Sequence, residues 1–218
     1  MSGSYINSGG DRIQRGSNLQ GVMLGLLRNT PTFDIGNGLE GQAAADSEGS
    51  HVNEDGSQRS YRHGVYDNPY WTVNKNPAND DVNRIIGRAG LSYEINDWLR
   101  AGYTLGVDQY SERYNSAEDI NNLGFGGNDG SVIQAFAGNR DLNSDFTLGL
   151  DRSLTDDISL NALVGYNIFD TYYSQQRTDG TTLSAPGFYH ISNASDLTAS
   201  DSIARKRIHG LYTTADLG

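Results

Sequence analysis

The sequence predicts an all-β fold of antiparallel, up-and-down strands. The evidence is side chains that alternate in polarity, short turns at one end of the strands and long polar loops at the other. The clearest alternation lies in residues 98–114, where polar or very small residues separate the apolar ones. The apolar residues are Leu99, Ala101, Tyr103, Leu105 and Val107. A side-chain period of two places all of them on one face of a strand.

The connections between strands differ in length in a regular way. Asn96 and Asp97 form one short turn and residues 155–157 form another, whereas residues 116–131 and 175–202 are predicted long loops. This asymmetry is typical of a transmembrane β-barrel. A soluble antiparallel sheet with one buried face gives the same alternation of side chains, so the pattern alone leaves that alternative open.

The length of the apolar stripe fits a membrane. The stripe from Leu99 to Val107 is about 27–30 Å long at ~3.3 Å per residue. With a tilt of ~40° it covers about 22 Å, close to the ~25 Å apolar band of such barrels. Aromatic residues lie near both ends, as in aromatic girdles: Tyr93 and Trp98 beside the short turn, Tyr110 and Tyr114 toward the long loop.

Six strands are predicted, at residues 1–14, 83–95, 98–115, 134–154, 158–175 and 203–217. The alternation runs to both ends of the sequence, and residues 1–9 have neither the basic start nor the apolar core of a signal peptide. We therefore expect residues 1–218 to be part of a barrel wall without its signal peptide.

One short loop helix is predicted after the first strand. Ser17 or Asn18 could cap it, and Pro31 ends it. Its apolar residues follow helical spacing and are Leu19, Val22, Met23, Leu26 and Leu27. We expect this face to pack over the barrel mouth.

Composition excludes several classes of protein. The formal net charge of -11 over 218 residues argues against a nucleic-acid partner. The chain has no run of about 18 apolar residues, which excludes a helical membrane protein. It has 0 cysteines, which excludes disulfides and cysteine-bound zinc.

The sequence offers no catalytic constellation. Residues 36–41 match G-x-G-x-x-G, but no predicted strand precedes them and no helix follows. The histidines lack metal-ligand spacing, and the paired aspartates at 80–81 and 156–157 lie at a loop end and a turn. Oxygen-rich segments at 79–81 and 128–130 lack the spacing of a calcium loop. We expect no enzyme, no cofactor and no metal site.

Aromatic residues in the long loops are the candidate binding residues. They are Tyr66, Tyr70, Trp71, Phe188 and Tyr189. Flat rings beside amides and carboxylates suit sugar faces and hydroxyls, or a protein partner. Packing within the loops is the alternative role. A basic run, Arg205-Lys206-Arg207, lies in the last strand and could meet acidic headgroups or a partner, or be solvated.

Four motifs together resemble one family. They are LGLLRNTPTFD at 24–34, YDNPYWTVNKNPANDDVNRIIG at 66–87, NRDLNSDF at 139–146 and PGFYHISNAS at 186–195. They resemble SusC/RagA-type TonB-linked outer-membrane transporters, also called TonB-dependent receptors. The loop at 36–64 is the part least like the family.

The resemblance implies a nutrient importer in the outer membrane of a Gram-negative, Bacteroidota-like cell. It implies import of oligosaccharides or peptides, a SusD-type surface lipoprotein as a lid, and contact with outer-membrane lipid. The TonB complex would act through a plug domain that this chain lacks. Because large transporters have about 22 strands, six strands would form only a wall segment. The alternative function is a soluble β-rich binding or adhesion domain.

Overall fold

The computed structural model describes residues 1–13, 18–33, 35, 51–53, 55–123 and 129–218. Its centre is a 6-stranded antiparallel sheet in which strands adjacent in sequence are adjacent in space. The strands are β1 (Ser2–Asp11), β2 (Ala78–Asn96), β3 (Leu99–Glu118), β4 (Ser131–Ser153), β5 (Ser159–Leu183) and β6 (Ala194–Leu217). The predicted fold class, all-β with antiparallel up-and-down strands, is confirmed.

Strands β2 to β6 extend further toward the long loops than the sequence predicted, whereas β1 ends at Asp11, before its predicted end at residue 14. The predicted loop at 175–202 is wrong, because β5 continues to Leu183 and β6 begins at Ala194. Residues 176–182 are polar or glycine throughout. They therefore show no apolar alternation, although their backbone groups pair with β6 from Gln176↔Asp201 to Thr181↔Asp196.

The strand register arranges the apolar side chains in lateral rows across the sheet. One row crosses β2 to β6 through Leu91, Tyr103, Phe146, Tyr166 and Leu211. These side chains are not covered by any other part of the described chain, and Leu91 and Leu211 are 74% and 77% exposed. The sheet is therefore a single layer with one continuous apolar face.

The opposite face of the sheet is polar and rich in small residues. Ser92, Gly102, Thr147 and Gly165 follow one another across β2 to β5 in the next row. An open groove follows this face near the short turns, with Arg100 among its lining residues.

Among the described residues, apolar burial is confined to the long-loop end of the sheet. Ala117, Val132 and Leu183 form a small buried cluster there, against which Tyr189 and Ile191 pack. The helices also lie at this end: α1 (Val22–Arg28), α2 (Pro69–Lys75) and a 3-10 turn (Ile191–Asn193). We call residues 18–33, 51–53, 55–77, 119–123 and 184–193, which include α1 and α2, the loop layer.

The predicted loop helix is confirmed as α1, but its start and packing differ from the prediction, and α2 was not predicted. Gly21 precedes α1 without a side-chain cap, and Asn18 instead accepts a hydrogen bond from Arg28; Ser17 lies outside the described residues. The buried face of α1 is formed by Gly25, where a Cβ would lie 2.9 Å from Pro69 Cγ. A narrow backbone contact with α2 thus replaces the expected apolar packing.

The apolar residues of α1 that were expected to cover the mouth face outward. Met23 and Leu27 are 70% and 76% exposed, and Leu26 is also exposed. Within the described ranges, no helix is long and apolar enough to cross a membrane.

Candidate functional site

The loop layer contains every candidate binding residue, and α2 carries two of them. Asn68 caps α2 by accepting a hydrogen bond from the Tyr70 amide, and Pro69 occupies the first turn, where no donor is needed. Trp71 is only 2% exposed and its ring lies edge-on to His51 at 6.4 Å. Trp71 therefore packs within the layer, while Tyr70 remains partly exposed.

A chain of buried side-chain amides joins the helices to the sheet. Gln20 Nε2 donates to Glu118 Oε1 at 2.7 Å, and Asn122 Nδ2 donates to Gln20 Oε1 at 3.1 Å. Asn122 in turn accepts from Asn76 Nδ2 at 2.7 Å. Because buried polar groups are costly unless paired, this chain fixes α2 against the end of β3.

Asp67 ties three segments of the layer together. Its Oδ1 accepts from Gln58 Nε2 at 2.8 Å, and the Leu123 amide donates to Oδ1 and Oδ2 at 3.1 and 3.2 Å. The carboxyl is buried, and this desolvation raises its pKa from 3.8 to about 6, against the opposing effect of those hydrogen bonds.

Asp119 performs the same role for the segment that contains Tyr189. The Tyr189 hydroxyl donates to Asp119 Oδ2 at 3.0 Å, and the Gly187 amide donates to Oδ1 at 3.0 Å. Burial, followed by the neighbouring Asp119 charge, raises the pKa of Tyr189. The Asp119 amide donates to Asn76 Oδ1 at 3.2 Å, so this segment and α2 belong to one network.

Tyr66 lies in an aromatic and cationic stack that the sequence analysis did not predict. Its ring stacks on Tyr61 with centroids 6.2 Å apart and planes 17° apart. Arg28 Cζ lies 4.6 Å from its centroid, and Arg62 Cζ lies 5.6 Å away. Tyr61 also contacts Phe33 at 6.5 Å. The arginines interspersed among these rings were the available signal.

Phe188 is the candidate most accessible to a ligand. It is 53% exposed and stacks on His190 with centroids 5.9 Å apart. The structure thus divides the five candidates: Phe188 is exposed, Tyr66, Tyr70 and Tyr189 are partly buried, and Trp71 is fully buried. Of the partly buried three, Tyr189 has its hydroxyl bound to Asp119.

The residues considered for other chemistry do not form a site in the described part of the chain. No group of three or more metal-ligating side chains is found there. The G-x-G-x-x-G match at 36–41 lies outside the described residues, as does Asn128 of one oxygen-rich segment.

Comparison with known proteins gives a likeness of structure. No family model matches the chain, and no curated relative matches its sequence. The structure of the RagAB peptide transporter matches with a TM-score of 0.64 at 13% identity, over 75% of this chain and 19% of that chain. The RagAB peptide importer in its 'open-open' state matches with a TM-score of 0.62 at 13% identity, again over 75% and 19%.

A third match, the RagAB peptide importer in its 'closed-closed' state, has a TM-score of 0.63 at 14% identity, over 75% of this chain and 19% of that chain. The chain thus has the fold of a segment of a transporter barrel and spans 19% of the length of the transporter chains it matches. The likeness confirms, at the level of fold, the resemblance to SusC/RagA-type transporters.

Proposed function

We propose that this chain is a wall segment of a SusC-type importer in the outer membrane, which takes up oligosaccharides or peptides in a TonB-dependent way. Its apolar face would contact lipid, its polar face would line the lumen, and its loop layer would form part of the extracellular mouth. We call the full-length barrel that would contain it the parent barrel.

The uncovered apolar face carries this proposal. The row from Leu91 through Phe146 to Leu211 crosses five neighbouring strands without a covering layer. In water such a face would be an aggregation surface, whereas in a bilayer it is the surface a barrel needs. Within the described residues, β1 and β6 each pair with another strand on one side only. This also favours a wall segment, because open edges are not tolerated in lipid.

The polar face supports a lumenal role. Asn167 Nδ2 donates to Asn143 Oδ1 at 2.9 Å and to Asp145 Oδ1 at 3.3 Å. These amides and carboxylates hydrogen-bond across neighbouring strands, and a polar substrate could exchange such bonds as it passes.

The loop layer supports a role in substrate or lid contact. Phe188 and Tyr66 offer ring surface that is held by stacking on His190 and Tyr61, which reduces the entropy lost on binding. A SusD-type lipoprotein is the partner that fits the proposed family. Trp71, which is buried, and Tyr189, which is partly buried, would support this surface from beneath.

Single-cysteine labelling tests the proposal, because the chain has 0 cysteines of its own. In a parent barrel without other cysteines, His63→Cys should react with a membrane-impermeant maleimide on intact cells. Asp156→Cys, in the short turn between β4 and β5, should react only after permeabilisation. The reverse pattern would invert the topology.

The alternative, a soluble β-rich binding or adhesion domain, predicts a different result. The chain expressed alone without detergent would then give a monodisperse species that unfolds cooperatively. A wall segment should instead aggregate, despite its net charge of -11.

A further inference from the structure

The basic run in β6 divides between the two faces of the sheet. Arg207 pairs with Asp170 and Arg205 pairs with Tyr172, whereas Lys206 pairs with Thr171. Because Asp170 lies in the row of Leu142 and Val107, both arginines are on the apolar face, and Lys206 is on the polar face. The two arginines therefore interrupt the apolar side chains of this face toward the long loops, where Ile203 is the next exposed apolar residue of β6 on the same face.

A third arginine completes a cluster at this level. Arg140 of β4 and Arg205 of β6 are both register partners of Tyr172 on β5, so the three residues form one lateral row. Arg140 Cζ lies 5.9 Å from the Tyr172 ring centroid. We call Arg140, Arg205 and Arg207 the outward arginine cluster.

The cluster has more positive charge than its own carboxylate neutralises. Arg207 Nη2 and Arg205 Nη2 lie 2.6 and 3.1 Å from the same oxygen of Asp170. The Asp170 side chain is 7% exposed, whereas those of Arg205 and Arg207 are 56% and 50% exposed. Within the described ranges Arg140 has no ion pair, so one carboxylate faces three guanidinium groups on a chain whose net charge is -11.

The position of this excess charge defines its ligand. It borders the apolar stripe, on the side of the sheet that would face lipid, at the end of the strands that carries the long loops. Tyr172 between two arginines adds an amphipathic ring of the type found at membrane interfaces. Guanidinium groups at that depth would meet headgroups, and their planar donors suit phosphate oxygens.

We infer that the outward arginine cluster binds the phosphate of a phosphorylated glycolipid in the outer leaflet. Arg140 and Arg205 hold the phosphate from two sides above Tyr172, and Asp170 keeps Arg205 and Arg207 oriented. The contact fixes the height of this wall segment in the bilayer. This inference rests on the proposed function, because it requires the apolar face to contact lipid.

The test uses the parent barrel in detergent and fluorescent monophosphoryl lipid A as the probe, with the dissociation constant measured by anisotropy. Removal of one positive charge at a membrane surface weakens binding about fivefold. The double variant Arg140→Gln with Arg205→Gln should therefore bind the probe about 25-fold more weakly than the parent barrel. Lys206→Gln is the matched control, because it removes the charge between Arg205 and Arg207 but from the opposite face. The affinity of the Lys206→Gln variant for the probe should stay within about twofold of the affinity of the parent barrel.

Two further measurements identify the ligand. In the first, a dephosphorylated form of the same glycolipid is tested on the parent barrel. Its affinity should be as low as the affinity of the double variant for the phosphorylated probe. Inorganic phosphate at the probe concentration should not displace the probe; displacement would assign the cluster to free phosphate. If the double variant keeps its lipid affinity but loses a co-purifying surface lipoprotein, the cluster is a protein-docking surface.

Equal affinities of the parent, the double variant and Lys206→Gln would overturn the inference. Should the double variant fail to assemble, Arg140→Gln alone should still weaken binding about fivefold, and an unchanged affinity would be equally decisive. The cysteine-labelling result separates the two failures. A barrel that labels as proposed yet shows no effect of the arginines refutes the lipid site alone.

Discussion

The hydroxyl of Tyr212 on β6 lies 3.1 Å from Asp145 Oδ2 on β4, although β5 lies between these strands. The contact is possible because residue 165 is a glycine and the Tyr212 ring packs directly on it. A Cβ at Gly165 would lie 1.9 Å from Tyr212 Cζ. A glycine on β5 thus lets an aromatic side chain lie across it and join three strands on the polar face.

Gly165→Ala should destabilise the parent barrel by about 1–3 kcal/mol, because the added methyl displaces the Tyr212 ring and its hydrogen bond. The measurement is equilibrium unfolding in detergent. Gly210→Ala on β6 is the matched control, since a Cβ there meets only Asn167 Cβ at 3.9 Å. If both variants unfold alike, the close packing of Tyr212 on Gly165 has no energetic role.

The assignment of the two faces makes a second prediction. Leu105→Arg should cost about 2–4 kcal/mol of barrel stability, because its charge would lie in lipid. Thr104→Arg introduces the same side chain one residue away on the polar face and should cost much less. Folded barrel is measured by heat-modifiable migration on gels. Equal loss of folded protein in both variants would contradict the assignment.

The sequence predicted the sheet because period-two alternation is a local property of each strand. The alternation at 98–114 is sufficient to place Leu105 and Thr104 on opposite faces. It is absent from residues 176–182, where both faces of β5 are polar, so the upper part of that strand was missed. Strand pairing there is determined by the register of the rest of the sheet.

The loop layer was less predictable because its contacts join distant parts of the chain. The Asn68-Pro69 pair is a recognisable start for α2, but the aromatic residues that follow were assigned to an open loop. Burial of Trp71 depends on packing that no local pattern shows. The hydrogen bond from Asn122 to Gln20 joins residues 102 positions apart.

A third prediction concerns pH and Asp67. Burial raises its pKa to about 6 from 3.8, so the folded loop layer binds the proton more tightly than the unfolded chain. Stability from this group is therefore complete below pH ~4 and is lost as pH rises to about 6, by at most about 3 kcal/mol. Asp67→Asn should abolish this contribution.

Trp71 fluorescence measures this effect in a parent barrel in which Trp98 and every other tryptophan are replaced by Phe, because Trp71 is buried beside the Asp67 segment. The midpoint of unfolding is measured at pH 4.5 and at pH 7 in the parent barrel and in its Asp67→Asn variant. The change in midpoint between the two pH values is then compared between these two proteins. Burial lowers the pKa of His51, which contributes in the opposite direction in both proteins and cancels in the comparison. An identical pH dependence in the two proteins would refute the role of Asp67.

The division of the aromatic residues makes the last prediction. Phe188 is 53% exposed and Trp71 is 2% exposed, so their removal should affect different quantities. Trp71→Ala should destabilise the loop layer by about 3–5 kcal/mol, as removal of a buried aromatic ring usually does. Phe188→Ala should leave the free energy of unfolding within about 0.5 kcal/mol of that of the parent barrel, as for an ordinary surface substitution.

If Phe188 contacts the substrate or the lid, the same variant should weaken uptake or lid binding by about 1–3 kcal/mol, the usual range for an interface aromatic. Uptake and lid affinity are measured in cells and in detergent on barrels of matched surface abundance. Normal values for Phe188→Ala would show that its ring serves only to stack on His190.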